Sequence, residues 1–330
     1  MTGCQTINAS IISKMEKTVI DIQKILLDNI SEWEERYSEY ADLILKNKIE
    51  RVDSKKKFHR WKNLSTYSSI KKNATTFDLR CFGQNVAKLK INKTEDVLLL
   101  IDEKLSKTNK RNFGFDKKIN TNWNSKEAGE FRKHFESRKI RNDEGKKNNE
   151  HRIENLLLNE FSKTGSKYKI LTNIQPVVLF SQKMFFQMCT PLGASKFPKK
   201  YAKKGGGIDI LARFKKKLCV MEVKDEHKPN ESPSDVIMQA ISYATFIAHL
   251  LNSKSGGSWW NIFGYSSSKI PKKIIINVVA VLPFPNYNSN IDFAKQKIAI
   301  AGTNVTLELH YMYFEEKENV IYNIETSLIG

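Results

Sequence analysis

Clustered cysteine is missing from this chain. Its four cysteines, Cys4, Cys81, Cys189 and Cys219, form no Cys-x-x-Cys pair and no Cys/His group. That argues against a zinc site or an iron–sulfur cluster. A disulfide framework is not expected at a length of 330 residues. Long apolar runs are missing too. The longest apolar stretch, IIINVVAVL at 274–282, is too short to span a bilayer. The opening segment MTGCQTINASIISKMEK lacks the layout of a signal peptide. The expected location is a reducing cytoplasm, with no membrane partner. Acidic residues are scarce: 36 against 55 Lys and Arg, a net charge of +19. Such an excess favours a polyanionic partner, usually nucleic acid. An AT-rich genome also raises Lys and Asn, so charge alone does not decide the question. No internal repeat is present.

What is there centres on residues 205–226, GGGIDILARFKKKLCVMEVKDE. Two short apolar strands flank a basic turn, the pattern of a buried hairpin. Ile208, Ile210 and Leu211 surround Asp209, and Leu218, Val220 and Met221 lead to Glu222. Buried carboxylates are costly unless paired or bound to metal. If Asp209 and Glu222 lie side by side, they form a two-carboxylate site for a hard cation such as Mg²⁺. Lys224, two residues beyond Glu222, projects from the same face. It is placed to orient or deprotonate a water, or to stabilise charge on a phosphate. A surface hairpin is the competing reading, but LCVMEV does not alternate as a surface strand would.

Asp209, twelve residues, then Glu222-Val223-Lys224 resembles the D…(D/E)xK signature of the PD-(D/E)XK nuclease superfamily, which includes restriction endonucleases. Ile208 stands where proline often precedes the Asp. Gln239-x-x-x-Tyr243 on a downstream helix resembles the RecB-like branch. The resemblance covers roughly residues 148–282. It implies an α/β fold, a restriction-endonuclease-like core whose mixed central sheet is flanked by helices. It implies that Asp209 and Glu222 bind Mg²⁺ or Mn²⁺, with the carbonyl after Glu222 as a further ligand. It implies that Lys224 supports the attacking water and that Gln239 and Tyr243 orient the strand or Lys224. An acid from the first helix, EHRIENLLLNEFSK, often completes such sites. Glu154 is the first choice, Glu150 the second, and ordinary surface acids the alternative. His151 resembles the RecB-like metal histidine, but it lies three residues before Glu154 instead of four. A structural or surface role is the reading adopted for it.

The chain divides, on this reading, into a mainly helical region at 1–145 and a nuclease-like domain at 146–330, joined by the polar stretch 138–149. Within 8–50, Ile11, Ile12, Met15, Val19, Ile22, Leu26 and Ile30 recur at helical spacing. They serve core packing or a homodimer contact. Residues 51–93 hold twelve Lys/Arg against two acids. There Lys56, Lys57, Arg60 and Trp61, with Phe58 and Tyr67, suit phosphate contact and base stacking; a solvated basic helix is the alternative. Residues 94–140 read as irregular helix. Before Asp209, the loop SKFPKKYAKKGGG carries Lys196, Lys199, Lys200, Lys203 and Lys204, which could hold a nucleic-acid backbone. Its glycines are no P-loop, since no GK[ST] follows. Residues 168–180 read as the first core strand. SPSDVIMQAISYATFIAHLLN is a helix that Ser232 or Ser234 caps. SGGSWWNIFGYSSSK reads as a loop, with Trp259 and Trp260 a stacking wedge or a packed lid. Three late strands follow.

The expected function is metal-dependent hydrolysis of DNA phosphodiester bonds, with RNA as an alternative substrate. Restriction, repair and mobile-element roles are not distinguished. The rivals are a non-cleaving DNA-binding protein that retains the fold and a structural or regulatory partner protein.

Overall fold

The computed structural model describes residues 2–50, 63–69, 76–91, 97–138, 149–162, 171, 173–179, 184–193, 200–203, 205–225, 231–266, 269–285 and 291–329. These residues form a mixed α/β structure with seven helices and two mixed sheets.

The C-terminal sheet positions the candidate site. Its strands run in the order β11-β12-β10-β9-β8-β6, with β13 also paired to β12. These are β6 Ile174–Pro176, β8 Ile210–Phe214, β9 Lys217–Val223, β10 Ile274–Pro283, β11 Lys297–Ala299, β12 Val305–Lys317 and β13 Val320–Thr326. The central strands β9, β10 and β12 are parallel to one another, while β8 and β6 add antiparallel at one edge. Near-continuous apolar runs are what a sheet covered on both faces requires. One face buries Leu218, Val220, Val278 and Ala280 with the helices α1 Thr2–Asp28, α2 Ile30–Glu50, α6 Pro233–Leu251 and α7 Gly256–Ile262. The other buries Cys219, Met221, Val279 and Val281 with α5 Asn149–Phe161. The expected late strands are β10, β12 and β13, and the expected first core strand contributes β6.

α1 carries most of its expected apolar stripe: Met15, Val19, Ile22 and Leu26 are buried and Ile11 and Ile12 half-buried, against α6, whereas Ile30, which begins α2, is exposed. Core packing therefore takes this face. α6 differs from the single stripe expected of it. Pocketed between α1 and the sheet, it is buried nearly all round. It is long and apolar enough to cross a membrane, but most of it is covered by the protein, as a core helix is. Ser232 is its N-cap residue but makes no side-chain cap bond, and Pro233 opens the first turn.

The mainly helical region expected at 1–145 is helical only in part. Five strands lie within it: β1 Leu64–Ser69, β2 Thr76–Cys81, β3 Gln84–Ile91, β4 Val97–Ile101 and β5 Ile119–Asn122. With β7 Met184–Gln187 they make the second sheet, in the order β5-β4-β3-β2-β1-β7. Two helices, α3 Glu103–Phe113 and α4 Lys126–Glu136, complete this region. It has its own aromatic core, including Phe113, Phe115, Phe131 and Phe135. β1 lies parallel to β7, so a strand from beyond residue 146 closes the edge of the N-terminal sheet. α1 and α2 instead share the core of the C-terminal half. Tyr67, expected to stack on bases, is buried at 3% exposure. Tyr67's hydroxyl accepts from Asn155 Nδ2 at 2.8 Å. Phe58, Trp61, Lys56, Lys57, Arg60 and the linker at 139–148 lie outside the described residues.

The stretch 255–269 is also not a plain loop. It contains α7, with Trp259 fully buried and Trp260 at 6% exposure. Trp260 stacks on Tyr265, with ring centroids 3.7 Å apart. The wedge reading fails because both indoles are already covered.

The two halves meet at the β2–β3 turn. Phe82 and Gly83 both have positive φ, the two-residue geometry that suits a tight hairpin. A Cβ on Gly83 would run into the His151 carbonyl at the start of α5. Gly83→Ala therefore combines left-handed strain with a backbone clash. It should lower unfolding free energy by about 1–3 kcal/mol, measured by urea denaturation, whereas Gly302→Ala, with open space around it, should lose less.

Candidate active site

The β8–β9 hairpin sets the site. Its register pairs Ile210 with Met221 and Leu211 with Val220. One step beyond, the same register places Asp209 across from Glu222. Opposed residues of an antiparallel pair share a face, here the face covered by α6. Asp209 is fixed further by the Val223 amide, which donates to Asp209 Oδ2 at 2.8 Å. Glu222 is 2% exposed and Lys224 6%. Lys224 Nζ donates to Glu222 Oε1 at 2.8 Å and lies 3.6 Å from Glu150 Oε1. The Lys224 backbone is held by its own amide, which donates to the Val281 carbonyl.

Two helices bring further groups. On α6, Gln239 is half-buried and hydrogen-bonds Tyr243, which is buried. Burial, and then the nearby Glu222 charge, push the Tyr243 hydroxyl up to about 12. It stays a neutral donor at physiological pH. On α5, Glu154 is buried and close enough that its charge bears on Asp209. His151 Nδ1 sits 2.8 Å from Glu154 Oε1. His151 is exposed at the rim of the site, and the Glu154 hydrogen bond, then its charge, raise its pKa. Both first-helix acids thus reach the site: Glu154 toward Asp209, Glu150 toward Lys224. His151, read as structural or superficial, is exposed, and its ring is the rim partner of Glu154.

Electrostatics at the centre are unbalanced. Burial, then the Glu222 and Glu154 charges, raise Asp209 well above the usual carboxylate range. Burial raises Glu222 to about 7 despite the opposing pull of Lys224. Burial pulls Lys224 down, but the Glu222 carboxylate outweighs it and the net shift is upward. Lys224 is therefore an ammonium, and one positive charge faces two carboxyls. With no further cation, both carboxyls of the Asp209–Glu222 pair are harder to ionise than usual.

The donor chemistry suits a hard divalent cation. Glu222 Oε2 is buried with no hydrogen-bond partner of normal geometry among the described residues, and the Asp209 carboxyl is its neighbour. Two carboxylates with remaining positions left to water is a Mg²⁺-type set. A fuller cage is not built: no group of three or more His, Cys, Asp or Glu among the described residues is arranged to hold a metal.

Of the lysines expected to hold nucleic acid, Lys196, Lys199 and Lys204 lie outside the described residues. Lys200 and Lys203 are exposed. Lys203 is 3.9 Å from Glu32 of α2, and its carbonyl accepts from Arg36 at 2.6 Å. This end of the loop is docked on α2. Sequence reasoning passed over Arg80. It donates to Gln187 Oε1 and lies over the Tyr67 ring, 4.2 Å from its centroid. Its place beside α5 depends on pairing of distant strands, which no local signal announces.

Comparison of the chain with known protein families, curated proteins and solved structures finds no match.

The raised Glu222 has a measurable consequence. A folded-state pKa above the unfolded value near 4.5 makes the ionised carboxyl unfavourable in the fold. That cost is absent below about pH 4.5, grows as pH rises through about 7, and is constant above it. At about 1.4 kcal/mol per pH unit it reaches on the order of 3 kcal/mol at most. In chelator, Glu222→Gln should therefore gain stability over the parent as pH is raised from 5 to 8. A thermal-denaturation series at several pH values reads it. A parallel pair of curves would show that Glu222 ionises freely in the fold.

Proposed function

We propose that the protein is a metal-dependent nuclease with a restriction-endonuclease-like core, hydrolysing DNA phosphodiester bonds in the cytoplasm. The observation that carries this reading is Asp209 set across from a buried Glu222 whose second oxygen lacks a partner, with Lys224 beside it. Asp209 and Glu222 would hold Mg²⁺ or Mn²⁺, with the Val223 carbonyl as a further oxygen. When bound, the cation supplies positive charge against the phosphate and acidifies water.

The chain's own groups do the rest. Lys224 remains charged, so it orients the attacking water and offsets phosphate charge; it does not take up a proton. Tyr243 offers a neutral hydroxyl, and Gln239 holds its orientation. Glu154, clasped by His151, sits at the edge toward Asp209, placed to position a water or a second ion. In hydrolysis the water oxygen forms the new bond to phosphorus while the bond to the leaving ester oxygen breaks; the water gives its proton to solvent and the leaving oxygen takes one up from solvent.

A second reading is a non-cleaving DNA-binding protein that retains this fold. The closed Lys224–Glu222 pair favours it, since that contact partly neutralises the site with no metal present.

Digestion of linear, circular and single-stranded DNA, with Mg²⁺, Mn²⁺ or chelator, separates the two. Asp209→Ala and Glu222→Ala should abolish cutting by removing cation ligands. Lys224→Ala should still bind metal yet cut about 10²–10⁴-fold more slowly. DNA binding in chelator should survive all three changes. Cutting that persists in Asp209→Ala, or that ignores chelator, would refute the assignment.

A further inference from the structure

A cavity of about 430 Å³ opens between β2, β3 and α3. Lys104, Thr108 and Arg111 recur every three or four residues, so one polar face of α3 forms a wall. Arg80 and Lys88, from β2 and β3, contribute from the sheet. Its one acid, Asp102, is already engaged: it accepts from the Leu105 amide at 2.9 Å and lies 3.5 Å from Lys88. Asn112 donates to Gln84 at 2.7 Å, tying the helix to the strand. The walls are thus held by existing contacts. Arg80 Nε is buried with no hydrogen-bond partner among the described residues, a donor lacking an acceptor. His151 also lines this cavity, and the same side chain contacts Glu154 at the rim of the candidate active site.

We propose that this groove carries the phosphate backbone of the DNA that flanks the scissile bond, with Arg80, Lys88, Lys104 and Arg111 as phosphate contacts. The inference rests on the nuclease reading for its substrate and extends it to the N-terminal sheet. Four cations around a polar cleft suit a chain of phosphates, and contacts of this kind set affinity and register without reading sequence. His151 lines the groove and also contacts Glu154, so the groove lies next to the site. The Gly83–His151 packing holds the two parts in fixed relation, so a strand gripped in the groove is delivered to one place.

Lys104 and Arg111 are both exposed, so reversing them should leave the fold intact. The test compares Lys104→Glu/Arg111→Glu with a charge-matched control, Lys14→Glu/Lys17→Glu, on the exposed side of α1. Binding of a short fluorescent DNA duplex is measured in chelator across a salt series. The groove variant should bind about 10-fold or more weakly, with a salt slope shallower by about 2, one unit per lost phosphate contact. The control should bind nearly as the parent does. If the groove variant unfolds at a lower temperature, Lys104→Gln/Arg111→Gln replaces it.

With Mg²⁺, the groove variant should raise KM more than it lowers kcat. Equal loss in groove and control variants would mean general charge attraction and overturn the proposal. So would no DNA binding by the parent, or groove-dependent binding of RNA alone. If nothing cuts but the groove variant loses affinity, hydrolysis fails and the groove stands. If the parent cuts and the groove variant binds and cuts as it does, the groove alone fails.

Discussion

The buried carboxyl of Glu222 constrains everything around it. A 2%-exposed acid next to a second acid requires positive charge, and the fold supplies only part of it. Lys224 balances one negative charge, and the Val223 amide adds a hydrogen bond to Asp209. A bound cation, as proposed, would complete the balance. A stable core would be better served by apolar residues at 209 and 222, since replacing buried ionic groups by packed apolar ones is often neutral or stabilising. Keeping both acids opposite each other in a sheet otherwise built of Val, Ile and Leu is a cost that chemistry explains and packing does not.

The surrounding architecture holds that arrangement in place. Strand register sets Asp209 against Glu222. α6 closes one face and delivers Tyr243, while α5, on the other face, brings the Glu154 charge to bear on Asp209. The N-terminal sheet presses its β2–β3 turn onto α5 and takes β7 as its edge strand. His151 lines the basic cleft there and also contacts Glu154. Burial raises the Tyr243 hydroxyl, while the Glu222 carboxylate raises Lys224 against the pull of burial: each remains protonated, and each can donate to an anion.

The site was legible because it breaks a pattern. Asp209, Glu222 and Lys224 are polar residues inside apolar strands, and Gln239 and Tyr243 are spaced one helical turn apart. Glu154 followed from its place beside the α5 stripe, though spacing alone did not separate it from Glu150; the two prove to serve different partners. The sheet at 64–122 was not legible. β1, LSTYSS, is too polar to announce a strand, and in β3, QNVAKLKI, lysines disguise the alternation that buries Ala87 and Leu89. The apolar run of β4 fits a buried helix as well as a strand. Gly and Ser around Trp259 and Trp260 suggested a loop, yet tertiary contact with Phe186, Phe263 and Tyr265 made α7 part of the core. Contacts between distant segments, such as Arg80 with Gln187, carry no local trace.

The central claim is that Asp209 and Glu222 share a divalent cation, and Mn²⁺ tests it most directly. Anomalous diffraction from crystals grown with Mn²⁺ should show a peak between the two carboxylates. Its oxygen distances should be about 2–2.3 Å, typical of small hard cations, with Lys224 withdrawn from Glu222 Oε1. A saturating Mn²⁺ concentration that leaves no peak there, with Lys224 still paired to Glu222, would contradict it.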